Sequence, residues 1–158
     1  MTIDVGSELP DFTLPTDGGE TLSKADLAGK PFVLYLYPKD DTSGCTKEAL
    51  AFQELYDRIG GAGAELLGLS KDSVKSHDKF KAKHGLTFPL LSDEEGGLVE
   101  ALGAWVEKNM YGKKYMGIDR STFLIDDRGV VRSVWRKVKV PGHAEKVVAE
   151  LEKMRAPA

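Results

Sequence analysis

Cys45 is the only cysteine among 158 residues, and its position suits nucleophilic thiol chemistry. It follows Phe32-Val33-Leu34-Tyr35-Leu36-Tyr37, an apolar run too short for a helix and β-branched and aromatic enough for a strand buried on both faces. Pro38 cannot donate to a sheet ladder and closes that strand. Asp40, Asp41, Thr42 and Ser43 can all cap a helix, and helix-forming residues run from Thr46 onward. The thiol therefore falls in a first helical turn, where unpaired amides and the macrodipole favour an anion. In open α/β sheets, ligands bind beyond the carboxyl end of a strand at such a point.

A competing reading is purely structural. Cys45 lies seven positions before Phe52 on one helix face, and free cysteines commonly pack as small hydrophobes. Glu48, three residues on, shares that face and needs a cationic or donor partner. A helix terminus supplies about 0.3–1 kcal/mol, up to ~2 in partly buried geometry. At about 1.36 kcal/mol per unit, this lowers a thiol pKa from about 8.5 by roughly one unit. Burial pushes the other way. A fixed cation must therefore contribute if the thiol is to react as an anion, and spacing alone names no particular Lys or Arg.

The remaining pattern supplies a frame. Phe12-Thr13-Leu14 and Thr21-Leu22 flank Gly18-Gly19 as a small hairpin. Ser23 caps a short turn through Leu27, ended by Gly29. The cysteine helix carries Phe52, Leu55, Tyr56 and Ile59 on one apolar face and stops at Gly60-Gly61. Strands are predicted at Glu65–Ser70 and Phe88–Leu91. Helices are predicted from Ser73 to His84, ended by Gly85, and over Gly97–Leu102. Trp105–Gly117 reads as a mixed aromatic loop whose Trp105, Tyr111 and Tyr115 could line the site or serve as an interface, with packing the better assignment. Thr122–Ile125 and Val130–Trp135 form a hairpin turning at Asp126-Asp127-Arg128-Gly129, and Ala144–Met154 is an amphipathic helix. Only the last few residues are expected to fray. The order argues for a three-layer α/β sandwich, in one domain over residues 1–158 that buries roughly 70% of its unfolded surface.

Composition sets the outer limits. A net charge of −3 gives no electrostatic case for nucleic acid. No apolar run approaches the ~20 residues of a membrane helix, and Met-Thr-Ile-Asp-Val lacks a secretory n-region and h-region. A cytoplasmic, reducing compartment is the expectation, and one cysteine excludes an internal disulfide. Of His77, His84 and His143, the first two share a helix face, but no third ligand falls at zinc spacing. They read as solvated, and no metal or other cofactor is expected. No base is placed beside Cys45 for a Cys–His hydrolase. Gly60-Gly61-Ala62-Gly63 follows a helix and precedes a strand, the reverse of a dinucleotide fingerprint. Lys79, Lys81, Lys83, Arg136, Lys137 and Lys139 read as solvated faces.

Pro38-x-x-x-Thr42-x-x-Cys45 resembles the peroxidatic-cysteine motif of the peroxiredoxins. The string from Tyr37 to Ala49 (Tyr-Pro-Lys-Asp-Asp-Thr-Ser-Gly-Cys-Thr-Lys-Glu-Ala) is similar to the bacterioferritin-comigratory, or PrxQ, subfamily. The likeness continues through Ser73–His77, Phe88–Asp93 and Gly117–Asp126. It implies a thioredoxin-like fold, a central mixed β-sheet flanked by helices with an N-terminal β-hairpin. It also implies thiol-dependent reduction of hydrogen peroxide and organic hydroperoxides through a Cys45 sulfenic acid. By that resemblance Arg120 is the missing cation, stabilising the thiolate and the polarised peroxide. Thr42 hydrogen-bonds the thiolate or peroxide, Pro38 shields the pocket, the Gly44 and Cys45 amides face the peroxide, and Glu48 orients Arg120.

The chain departs from the subfamily at both usual resolving positions, which fall at Leu50 and Lys81. Leu50 also lies nearly opposite the Phe52 stripe. A one-cysteine cycle follows, with the reductant supplied from outside: thioredoxin, glutaredoxin, a low-molecular-weight thiol, or a second subunit through Cys45 in an otherwise monomeric or weakly dimeric protein. The alternative is a peroxide-sensing or chaperone-like protein on the same fold with little turnover.

Overall fold

A computed structural model describes residues 3–155; the expected fraying at 156–158 lies outside them. Five strands make the central sheet: β3 (Phe32–Leu36), β4 (Glu65–Ser70), β5 (Leu90–Ser92), β8 (Ser121–Ile125) and β9 (Val131–Trp135). Their order is β5-β4-β3-β8-β9. β3 pairs in parallel with β4 and antiparallel with β8. Every residue of β3 is buried, as its unbroken apolar run requires of a strand covered on both faces. The separate hairpin β1 (Thr13–Pro15) and β2 (Thr21–Ser23) forms as expected, and Ser23 and Asp26 make a reciprocal capping box on the turn that follows.

Alternate residues of β3 feed two cores. Val33 and Tyr35 face one side with α1 (Ser43–Glu54), α2 (Tyr56–Gly61) and α5 (His143–Arg155), and Phe80 of α3 (Val74–His84) joins them. Phe32, Leu34 and Leu36 face the other side with α4 (Gly97–Ala101) and the N-terminal Leu9 and Phe12. The thioredoxin-like, three-layer arrangement is therefore present.

Several sequence expectations need correction. The cysteine helix is not continuous. Leu55, at φ −98° and ψ 3°, separates α1 from α2, so that Phe52 and Ile59 are both buried without a straight rod between them. The third strand begins at Leu90 rather than Phe88. The aromatic loop is a hairpin, β6 (Trp105–Met110) with β7 (Lys113–Ile118). Its turn uses positive φ at Tyr111 and Gly112, the geometry that favours two-residue hairpin turns. Its outer half has water on both faces, so apolar and polar residues do not alternate there. Tyr111 is 99% exposed and Tyr115 and Met116 are also exposed, which overturns their assignment to packing; Trp105 alone packs, under the Lys71 ammonium. Arg136 is not simply solvated either: it donates to the carbonyls of Ile3 and Leu102 and lies over the Phe123 ring. Lys81 reaches Asp17 at 2.8 Å.

Candidate functional site

The loop between β3 and α1 is tied down before the helix begins. Asp40 is buried. Its carboxylate accepts from the Tyr37 hydroxyl at 2.6 Å and the Ser76 hydroxyl at 2.8 Å, and pairs with His77 Nδ1 at 2.7 Å. Its own N–H donates to Asp72 at 2.8 Å. His77 is fully buried rather than solvated, and its Nε2 meets the Leu91 carbonyl at 2.9 Å. Burial opposes the imidazolium, but the Asp40 carboxylate outweighs it and the His77 pKa is raised. Asp40, Asp72 and His77 bring possible ligand atoms within 4.8 Å of one another, a cluster that spacing along the chain did not reveal. Their mutual hydrogen bonds account for it. Asp41 adopts a left-handed φ of 60°, and its carboxylate holds Lys83 and His84 of α3. The loop thus reaches α1 already fixed against α3.

Thr42 is the N-cap residue by backbone conformation, but its side chain makes no capping bond. Its hydroxyl instead donates to the Lys39 carbonyl at 2.9 Å. The first helical N–H, that of Thr46, goes to the Thr42 carbonyl at 2.9 Å. The amides of Ser43, Gly44 and Cys45 precede it and belong to the unpaired first turn. Cys45 is 1% exposed; Pro38 is half-buried and Leu50 exposed.

Arg120 arrives from the far end of the chain. It precedes β8, whose Ser121 pairs with Leu36 at the end of β3, and this antiparallel register puts it beside the start of α1. Its Nη1 donates to Glu48 Oε1 at 2.7 Å and its Nη2 to Cys45 Sγ at 3.4 Å. Cys45, Glu48 and Arg120 therefore meet. A Cβ on Gly44 would lie 3.2 Å from Arg120 Nη2, so a side chain there would press the guanidinium back by a few tenths of an ångström. Burial disfavours the Arg120 charge, yet Glu48 and Cys45 more than compensate and its pKa is raised. Lys108 on β6 was not foreseen. Burial lowers its pKa while Asp119 opposes this, and Arg120 and Cys45 both act on it. Nothing marks it in the sequence, because its hairpin reads there as loop.

Glu48 is 1% exposed, and its Oε2 has no hydrogen-bond partner among the described residues. Burial pushes its pKa from 4.5 to about 7, with Arg120 pulling the other way. Because the folded value is raised, the native state holds this proton more tightly than the unfolded chain does. Stability therefore falls as pH rises from about 4.5 to about 7 and levels off above, a contribution of about 3 kcal/mol. Thermal melts of Glu48→Gln and wild type across this range should diverge by that slope. Parallel curves would mean that Glu48 does not titrate there.

The AhpC/TSA family profile matches residues 5–134. A protein named putative peroxiredoxin bcp from Coxiella burnetii is 56% identical over 151 residues, spanning 96% of this chain and 100% of that one. Peroxiredoxin Bcp of Bacillus subtilis is 47% identical and 98% covered on both sides. This chain belongs to the AhpC/TSA family, among the Bcp/PrxQ peroxiredoxins. A solved structure of the Xanthomonas campestris bacterioferritin comigratory protein, from work on its alkyl peroxide reduction activity, superposes with a TM-score of 0.91. It is 48% identical, over 97% of this chain and 100% of that one. The protein is accordingly a thiol-dependent peroxidase, as the motif around Cys45 implied. Peroxiredoxins need a thiol reductant as well as a peroxide, and with a single cysteine this one cannot form a disulfide within its own chain. Among the described residues, no helix is long and apolar enough to cross a membrane.

Proposed function

We propose that Cys45 is the peroxidatic residue and that hydrogen peroxide and small organic hydroperoxides are its substrates. The observation that carries this is the Arg120 guanidinium, which touches Cys45 Sγ and is held by Glu48. The thiolate attacks one peroxide oxygen. The O–O bond breaks, its electron pair goes to the other oxygen, and that oxygen takes a proton and leaves as water or an alcohol. Cys45 becomes a sulfenic acid. Charge spreads from sulfur onto the peroxide oxygens during attack, toward Arg120 and the first-turn amides of Gly44 and Cys45. Donors already in place cost no reorganisation at that moment. Thr42 has a specific part. Its hydrogen is spent on the Lys39 carbonyl, so its oxygen is free to accept the peroxide's O–H and orient it. Pro38 shields the pocket from water.

Two equivalents of external thiol complete the cycle. The first condenses with the sulfenic acid to a mixed disulfide and water, and the second releases Cys45 and a disulfide. Thioredoxin, glutaredoxin or a small thiol in the cytoplasm would serve, with the enzyme a monomer or weak homodimer.

Treating the reduced protein with one equivalent of peroxide and trapping at once should add one oxygen atom to the Cys45 peptide by mass spectrometry. Oxidation no faster than that of a free thiol would sink the assignment. Gly44→Ala probes the same geometry: the added methyl displaces Arg120 by a few tenths of an ångström, and the second-order rate with peroxide should fall about tenfold, since small misplacements of preorganised groups are expensive. An unchanged rate would show that the 3.4 Å contact is not used.

A further inference from the structure

A cleft of about 570 Å³ opens beside the site, between β9 and the start of α5. Its charged lining is entirely cationic: Arg136, Lys137, Lys139 and Lys146. None of the four makes an ion pair among the described residues. Glu145, the neighbouring acid on α5, is held by Arg58 at 3.4 Å. The Arg136 guanidinium is spent on the Ile3 and Leu102 carbonyls, which leaves three lysine charges uncompensated in one concavity, against the net charge of −3. The apolar part of the lining includes Trp135 and Pro141. The cleft's volume falls within the range of sites for small organic ligands.

The cleft joins the Cys45 site through the backbone. Val138 N–H donates to the Arg120 carbonyl at 3.0 Å, so the cationic segment begins where the guanidinium is anchored. His143, at the cleft's inner wall, bonds Thr122 at 2.8 Å and packs edge-on against Phe52 of the cysteine helix. Lys137 holds φ at +50°, a left-handed conformation that costs a residue other than glycine of order 1 kcal/mol.

We infer that this cleft receives the reductant, a tripeptide-sized thiol carrying carboxylates, and delivers it to the oxidised Cys45. The inference rests on Cys45 forming the sulfenic acid proposed above. The carboxylates pair with Lys139 and Lys146 while the apolar body lies along Trp135. The thiol then attacks the sulfenic sulfur, forming a mixed disulfide and water, and a second thiol releases a disulfide and free Cys45.

The test uses the full-length enzyme oxidised by one equivalent of peroxide, followed by stopped-flow reduction with glutathione, neutral 2-mercaptoethanol and cationic cysteamine. Lys139→Gln/Lys146→Gln should slow reduction by glutathione about five- to tenfold, leave 2-mercaptoethanol unchanged, and leave the peroxide step unchanged. High salt should erase the difference, since exposed charges are screened. Equal slowing with the neutral thiol, or no slowing with glutathione, would overturn the proposal. A charge-reversed Lys139→Glu/Lys146→Glu variant should favour cysteamine over glutathione, and an unaltered preference would also overturn it. Failure of peroxide to oxidise Cys45 is seen separately, before any thiol is added, and removes the premise instead.

Discussion

Cys45→Ser should reduce peroxide consumption to the uncatalysed background while the protein still melts cooperatively. Sulfur supplies both electrons that cleave the O–O bond, and a serine hydroxyl at neutral pH neither ionises nor passes through a sulfenic state. Other thiol chemistry is not available to rescue the variant, because the chain has no second cysteine. The fold should tolerate the change. Cys45 sits in the apolar cluster with Phe52 and Ala49, but the new hydroxyl retains Arg120 Nη2 as a donor, so the expected loss is about 1 kcal/mol. Assaying peroxide loss with excess thiol, alongside thermal denaturation by circular dichroism, separates the two effects. Retained turnover in a folded variant would remove Cys45 from the mechanism.

Local pattern made much of this molecule legible. β4 and α3 fall where apolar spacing and the Ser73 and Gly85 caps place them, since each element's signal lies within its own residues. The β8–β9 turn at Asp126–Gly129 is equally local, with the Asp126 carboxylate accepting two backbone N–H groups. What stayed hidden depends on partners distant in sequence. Arg120 approaches Cys45 only because Ser121 pairs with Leu36, and no residue spacing encodes that register; the family motif had to supply it. His77 and His143 look like surface histidines until Asp40 and Thr122 are seen facing them. Burial satisfied by a distant hydrogen bond leaves no periodic trace. The β6–β7 hairpin escaped for the opposite reason: a strand pair wet on both faces near its tip is not patterned by a core.

Replacing Arg120 should separate charge stabilisation at Cys45 from support of the buried carboxylate. Arg120→Met keeps much of the side-chain bulk and removes the guanidinium. The rate with peroxide should fall about 10²–10³-fold, the usual loss for one preorganised donor at a centre of developing charge. Stability should fall too, because Glu48 is buried and Arg120 is its hydrogen-bond partner. Removing one member of a buried pair costs about 3–5 kcal/mol when the other stays charged. Here the remaining member has an escape. Its pKa is already about 7, and without the guanidinium it rises further, so Glu48 takes up a proton. The destabilisation should therefore be small near pH 5.5 and grow toward pH 8. Adding Glu48→Gln to Arg120→Met should restore stability at pH 8, because no buried carboxyl remains to be ionised or protonated, while peroxide reactivity stays low. Denaturant melts at the two pH values, with stopped-flow oxidation of each variant, complete the cycle. Were activity to return together with stability in the double variant, Arg120 would be only a structural counter-ion to Glu48. If neither returns, the pair acts through packing rather than charge.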